Sequence, residues 1–241
     1  MRKACLAEPG GAGQALTDRG RGVNAAFMDA ALIDGLSPLY RLALAYAPAR
    51  AKADWLTLLS FDTRLAGLLR QARDPVLAQI RLAWWRERLA QAPSERPRGE
   101  PLLARLADWP QGGAQLAALV DGWEALLGEP PLAGDALSAF GQGRADAVAA
   151  LAAKLTVPTP IEDLARSWSM ADLACHLGDP REQAIASELI QPVSAKGLPR
   201  ELRPLLVLQR VSVRAARNGG AAQLTSPGAL FTAMRAGLLG R

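Results

Sequence analysis

The sequence predicts an all-α protein, an irregular bundle of helices around one core. Alanine and leucine dominate the 241 residues, β-branched residues are few, and no stretch of useful length alternates polar and apolar with period two. About eight segments carry helical periodicity, and no internal repeat recurs at a fixed spacing, so a bundle is expected rather than a solenoid. With 50% hydrophobic and 21% charged residues, the chain is long enough for one substantial core and reads as a single domain from residue 28 to 241.

Charge and cysteine usage narrow the function classes. The formal charge of +5 comes from arginines spread along nearly every helix, which favours a solvated basic surface over a nucleic-acid groove. An anionic membrane surface or a diphosphate ligand stays compatible with it. Cys5 and Cys175 sit in unrelated contexts and His176 is the single histidine, so neither a disulfide framework nor a His/Cys zinc site is indicated. No apolar run approaches the roughly 18 residues that span a bilayer, and no apolar signal core opens the chain; a cytoplasmic protein, peripheral to a membrane at most, is expected.

Residues 1–27 are rich in glycine and arginine without periodicity and read as a disordered tail, with Met28 resembling a natural domain start. Asp29 to Gly35 forms a short helical turn. Ser37-Pro38 supplies an N-cap and first-turn proline for a helix up to Tyr46, ended by Ala47-Pro48. Two helices from Asp54 to Ala92, hinged at Asp74-Pro75, organise the chain. On the first, Trp55, Leu58, Leu59, Leu65, Ala66 and Leu69 share an arc, and Asp62 falls near its centre. The second is apolar on two sides, with Val76, Ile80 and Trp84 on one and Leu82, Trp85 and Leu89 on the other, as expected of a helix between neighbours.

Pro93 to Pro101 reads as a solvated loop, and Leu116, Leu119, Val120, Trp123, Leu126 and Leu127 as an amphipathic helix with Asp121 and Glu124 off its stripe. Pro130-Pro131 precedes a long helix to about Thr156, apolar at Phe140, Val148, Leu151 and Leu155. Gly141 and Gly143 within it imply a kink or a close approach of a partner helix or ligand. Thr159-Pro160-Ile161-Glu162 has the form of a capping box opening a helix through Leu177, on which Asp172 falls among Ile161, Leu164, Trp168 and Cys175. Leu198-Pro199 precedes a helix rich in Leu, Val and Arg to about Arg217; Asn218-Gly219-Gly220 ends it, and Ser226-Pro227 begins a final short helix.

The segment FDTRLAGLLRQARDPVLAQIRLAWWRERL, with its Arg81, Trp84, Trp85, Arg86, Glu87 run, resembles a helix pair of the squalene/phytoene synthase family. The pattern is most similar to the subgroup of phytoene-synthase-like assembly factors of respiratory complex I. FGQGRADAVAALAAKL resembles the small-residue helix that lines the family's cavity. The resemblance implies the isoprenoid-synthase fold over about Asp29 to Arg241, with a central cavity enclosed by helices.

Enzymes that join isoprenoid diphosphates hold the departing pyrophosphate with Mg²⁺ ions on facing carboxylates, aided by Arg or Lys. Aligned on Phe61, the first aspartate motif of the family would fall near Ala66, Gly67 and Arg70, none of which is acidic. An echo of the second motif lies at Asp179-Pro180-Arg181-Glu182-Gln183, where Asp179 and Glu182 are the candidate metal ligands. The same residues spell an N-cap, a first-turn proline and an N3 glutamate, which is how a helix begins. Candidate catalytic positions are thus Asp62, Asp172, Asp179 and Glu182, and candidate ligand contacts are Arg81, Arg86, Trp84 and Phe61. The tryptophans read more readily as packing residues. Asp62 and Asp172 must be paired or face a wet cavity, since burying a lone carboxylate costs several kcal/mol. Two outcomes are open to them: pairing with inward arginines to fix helix register, or lining a retained polar cavity. Arg81 and Arg86 are the candidate partners or anion contacts.

The expected function is that of a catalytically degenerate relative, needing no cofactor, that binds an isoprenoid or lipid-like ligand or a protein partner at a membrane. The alternative is an active prenyltransferase with an unusual Mg²⁺ site built from Asp62, Asp172, Asp179 and Glu182. A third expectation is a peripheral membrane module using the basic C-terminal helices.

Overall fold

The computed structural model describes residues 28–72 and 74–240; the tail expected over 1–27 lies outside them. The described residues are mostly helical, without strands, and form eleven α-helices. They are α1 (28–34), α2 (Pro38–Ala45), α3 (Ala49–Gln71), α4 (Pro75–Ala90), α5 (Pro101–Leu106), α6 (Ala117–Ala125), α7 (Gly134–Lys154), α8 (Glu162–His176), α9 (Pro180–Glu188), α10 (Arg203–Arg217) and α11 (Pro227–Met234), the last continued by a π turn over Arg235–Leu239. The irregular all-α bundle read from the sequence is the architecture observed.

Local chemistry sets the helix starts. Ser37, Asp74, Asp179 and Ser226 each accept a backbone N–H of the first turn and are followed by proline, whose missing N–H is one the helix start cannot use anyway. Packing then orders the layers. α7 lies between α6 and α8, α8 packs on α10, and α10 in turn carries α2 and α11. Leu205, Leu206, Val207, Leu208 and Val211 make α10 a core helix, joined by Trp55, Phe61, Leu65 and Trp168.

The close approach of α6 and α7 depends on two glycines. A Cβ on Gly143 would lie 2.3 Å from the Ala118 carbonyl oxygen, and one on Gly122 would meet the Phe140 and Gly143 backbone at 3.3 Å. Of the two readings for Gly143, close helix approach is the one realised, and α7 runs without a break.

Four expectations need correction. α4 is buried on one side only: Leu82, Trp85 and Leu89 enter the core, while Val76, Leu77 and Ile80 are more than half exposed and Trp84 is at the surface. The second apolar stripe therefore has no neighbour among the described residues. The loop after α4 is not wholly solvated, because Arg96 is buried and donates from Nη2 to the carbonyls of Leu89 and Gln91, both at 3.0 Å. Those are orphan acceptors at a helix end, and a guanidinium satisfies two at once. A short helix, α5, follows and buries Leu102, Leu103 and Leu106. Finally, α8 begins at Glu162 rather than after Thr159. The N-cap is Ile161, two residues beyond Thr159, and the capping box is not formed: Glu162, now the first helical residue, accepts the Ile161 N–H at 2.9 Å instead.

Candidate functional site

Five helices converge on one buried arginine. Arg144 lies on α7 one turn after Phe140 and one turn before Val148, on the inward stripe of that helix. Its Nε donates to Asp62 Oδ1 at 3.2 Å and its Nη2 to Asp62 Oδ2 at 2.8 Å. Nη1 donates to Asp172 Oδ2 at 2.7 Å, and Nη2 also donates to the Tyr40 hydroxyl at 3.0 Å. The hydroxyl in turn donates to Asp62 Oδ2 at 2.6 Å, and the Trp123 indole donates to Asp62 Oδ1 at 2.8 Å. Asp62 thus collects four donors from α2, α6 and α7. The guanidinium plane is walled by Phe140 and Trp168, each 4.7 Å from its centre, with Trp123 at 5.5 Å.

Solvent is nearly excluded, since Arg144, Asp62 and Asp172 expose 4, 3 and 8% of their surfaces. Burial by itself lowers the Arg144 pKa, but Asp62, Tyr40 and Asp172 outweigh it and hold it well above the usual value. Burial drives the Tyr40 phenol well above its ordinary value, with the neighbouring carboxylates adding to the effect against Arg144. Tyr40 therefore stays a hydrogen-bond donor at any physiological pH.

This cluster forms the polar end of a cavity of about 540 Å³. Leu36, Ala66, Leu69, Phe140, Leu173 and Leu177 make its apolar wall, and Arg70 and His176 also line it. Such a pocket, mostly apolar with a few convergent polar groups, is the usual form of a small-molecule site. Ala66 and Arg70, the positions where the resemblance puts acidic ligands, face this space without a carboxylate. His176 lies 3.7 Å from Asp172 Oδ1 through Nδ1, which also meets the Asp172 carbonyl at 2.7 Å.

Of the candidate residues, the fold brings Asp62 and Asp172 together and disperses the rest. Asp179 caps α9, accepting the N–H groups of Arg181 and Glu182. Glu182 is buried and accepts the Leu132 N–H at 2.6 Å, tying the loop before α7 to α9. Neither lines the cavity. Phe61 is core, edge-on to Trp85 at 5.0 Å, and Trp84 stacks edge-on against Trp85 at the surface. Arg86 pairs with Asp121 at 2.6 Å and with Glu124 on α6, and Arg81 is exposed. The partner of the inward acids is therefore Arg144 rather than Arg81 or Arg86, since α4 turns both of those away from the cavity. Arg144 occupies the i+4 position between Phe140 and Val148, so an arginine on an apolar stripe was the signal that could have found it.

A Mg²⁺ site does not fit this donor set. Asp62 is saturated by Arg144, Tyr40 and Trp123, Asp172 is bound to the same guanidinium, and Asp179 and Glu182 serve main-chain donors elsewhere. Among the described residues, no three His, Cys, Asp or Glu side chains gather as a metal would require. No family model matches the chain, and no curated protein or solved structure matches it.

Proposed function

We propose that the chain is a catalytically degenerate protein of the squalene/phytoene synthase type that binds an isoprenoid or other lipid-like ligand in the cavity beside Arg144, without condensing it. The observation that carries this reading is the tethered guanidinium between Asp62 and Asp172, 2.8 Å and 2.7 Å from their oxygens. In an ionising prenyltransferase, facing carboxylates hold exchangeable Mg²⁺ that neutralises the leaving pyrophosphate. Here the charge between the facing acids is supplied by the protein and already consumed by them. What remains is a pocket with an apolar wall suited to a hydrocarbon chain. We propose as the other form of this reading a protein partner of the kind an assembly factor engages, supported by the exposed Val76, Leu77, Ile80 and Trp84 on α4.

The test is pyrophosphate release from farnesyl or geranylgeranyl diphosphate with and without Mg²⁺, alongside thermal shifts with the same compounds and with the free alcohols. The expected result is no turnover and a Mg²⁺-independent rise in melting temperature. At ligand a hundredfold above Kd the stabilisation is about 2.7 kcal/mol, which is several degrees for a chain of this size. Mg²⁺-dependent release that weakens in Asp179→Ala or Glu182→Ala would overturn the reading in favour of an active prenyltransferase.

A further inference from the structure

The stretch from Leu202 to Arg241 contains six arginines and no aspartate or glutamate. Its last helix is inverted relative to one that faces water. The small residues Ala229, Ala233 and Ala236 are buried, whereas Leu230, Phe231, Met234, Leu238 and Leu239 point outward. Phe231 and Leu238 each expose 68% of their surface. A solvated helix places polar residues there, so this face has a partner other than water.

Arginines lie along the seam between α10 and this helix. Arg203 reaches the Ala236 carbonyl from Nη1 at 3.3 Å, and Arg214 donates to Ser226 Oγ at 3.3 Å. Arg210 is partly buried on α10, and Arg235 is exposed on the π turn. Among the described residues none of these four is in an ion pair. A large apolar face beside arginines that, among the described residues, pair with no acid matches one kind of surface, apolar beneath and anionic on top. A second copy of the chain would bring the same arginines against each other.

We propose that the outer face of α11 and its π turn seats on an anionic lipid bilayer, with Leu230, Phe231, Met234, Leu238 and Leu239 entering the headgroup boundary and Arg210 and Arg235 contacting lipid phosphates. The seat is interfacial: no described helix is long and apolar enough to cross a membrane. It is independent of what the cavity binds.

The experiment is flotation of the full chain with vesicles of phosphatidylcholine alone or mixed with phosphatidylglycerol, at low and high salt. The protein is expected to float with the mixed vesicles at low salt, to be released by high salt, and to ignore the neutral vesicles. Phe231→Ser with Leu238→Ser should abolish flotation while leaving the melting curve unchanged, because both side chains are exposed. Arg210→Gln with Arg235→Gln should weaken it roughly tenfold or more, at about 1 kcal/mol per arginine. Equal flotation on both vesicle types, none on either, or a concentration-dependent dimer in light scattering without vesicle binding would each overturn the proposal.

Discussion

Arg144 and Asp62 meet in a two-point fork, Nε on Oδ1 at 3.2 Å and Nη2 on Oδ2 at 2.8 Å, at the crossing of α7 and α3. Two parallel bonds fix the orientation of both planes as well as their distance. Removing two charges from water is expensive, and their attraction in the interior does little more than offset it, so such a pair specifies register more than it adds stability. Breaking one side is a different matter.

Arg144→Met leaves Asp62 and Asp172 buried without a cation. Urea unfolding at neutral pH should show a loss of about 3–5 kcal/mol. Adding Asp62→Asn and Asp172→Asn to that variant should restore most of it, since no charge is then left unpaired. A loss below about 1 kcal/mol in the single variant would mean that water reaches the carboxylates on demand.

Trp123→Phe keeps the ring beside Phe140 but removes the indole donor from Asp62. The loss expected is about 1.5–3 kcal/mol, the range for a hydrogen bond to a charged group. Trp84→Phe, at the surface, should stay within about 0.5 kcal/mol of wild type. Equal losses at both positions would remove the distinction drawn between a site tryptophan and a surface one.

Gly143→Ala tests the α6–α7 approach. Its methyl group would sit 2.3 Å from the Ala118 carbonyl oxygen, which the backbone can relieve only by separating the helices. Overpacking of this kind costs about 1–3 kcal/mol or more. Gly67→Ala on α3 has nothing within 4 Å of the new methyl and should gain up to about 1 kcal/mol from helix propensity. Melting temperatures of the two variants should move in opposite directions.

Cys175 gives a pH dependence. Burial, with Asp172 nearby, pushes its thiol from the usual 9.0 up to about 12. Between those values the unfolded chain has lost a proton that the folded one keeps, so stability falls as pH rises. The contribution is fully present below pH 9.0 and disappears towards pH 12. Denaturant titrations at pH 8 and pH 10 should therefore show a decline that is smaller in Cys175→Ala. An identical decline in that variant would locate the effect elsewhere.

The helical class, the cap at Ser37 and the inward acids were legible because each follows from local spacing. Asp62 and Asp172 sit on apolar arcs, and burial demands that such acids be satisfied. What satisfies them was not legible, because Arg144 lies 82 residues from Asp62 and only tertiary packing joins α3 to α7. The two apolar stripes of α4 led to the opposite error. Periodicity shows that a face is apolar, whereas whether another helix covers it depends on the rest of the chain. Asp179 and Glu182 show the same limit, since one pattern of acids and proline serves a metal motif and a helix start equally well.

Gly122 and Gly143 each immediately precede a residue that holds Asp62, namely Trp123 and Arg144. Where they touch, main chain rests on main chain with no side chain between. No intervening rotamer can therefore alter the spacing of the two helices, and the Trp123–Arg144 side of the cavity acts as a rigid jaw. Any widening to admit a bulkier guest comes most directly from the turn before α2, which carries Leu36, since α3, with Ala66 and Leu69, is tied to Arg144 through Asp62. Amide exchange should accordingly be slow along the α6–α7 contact and faster in that turn, with the difference narrowing once the cavity is filled.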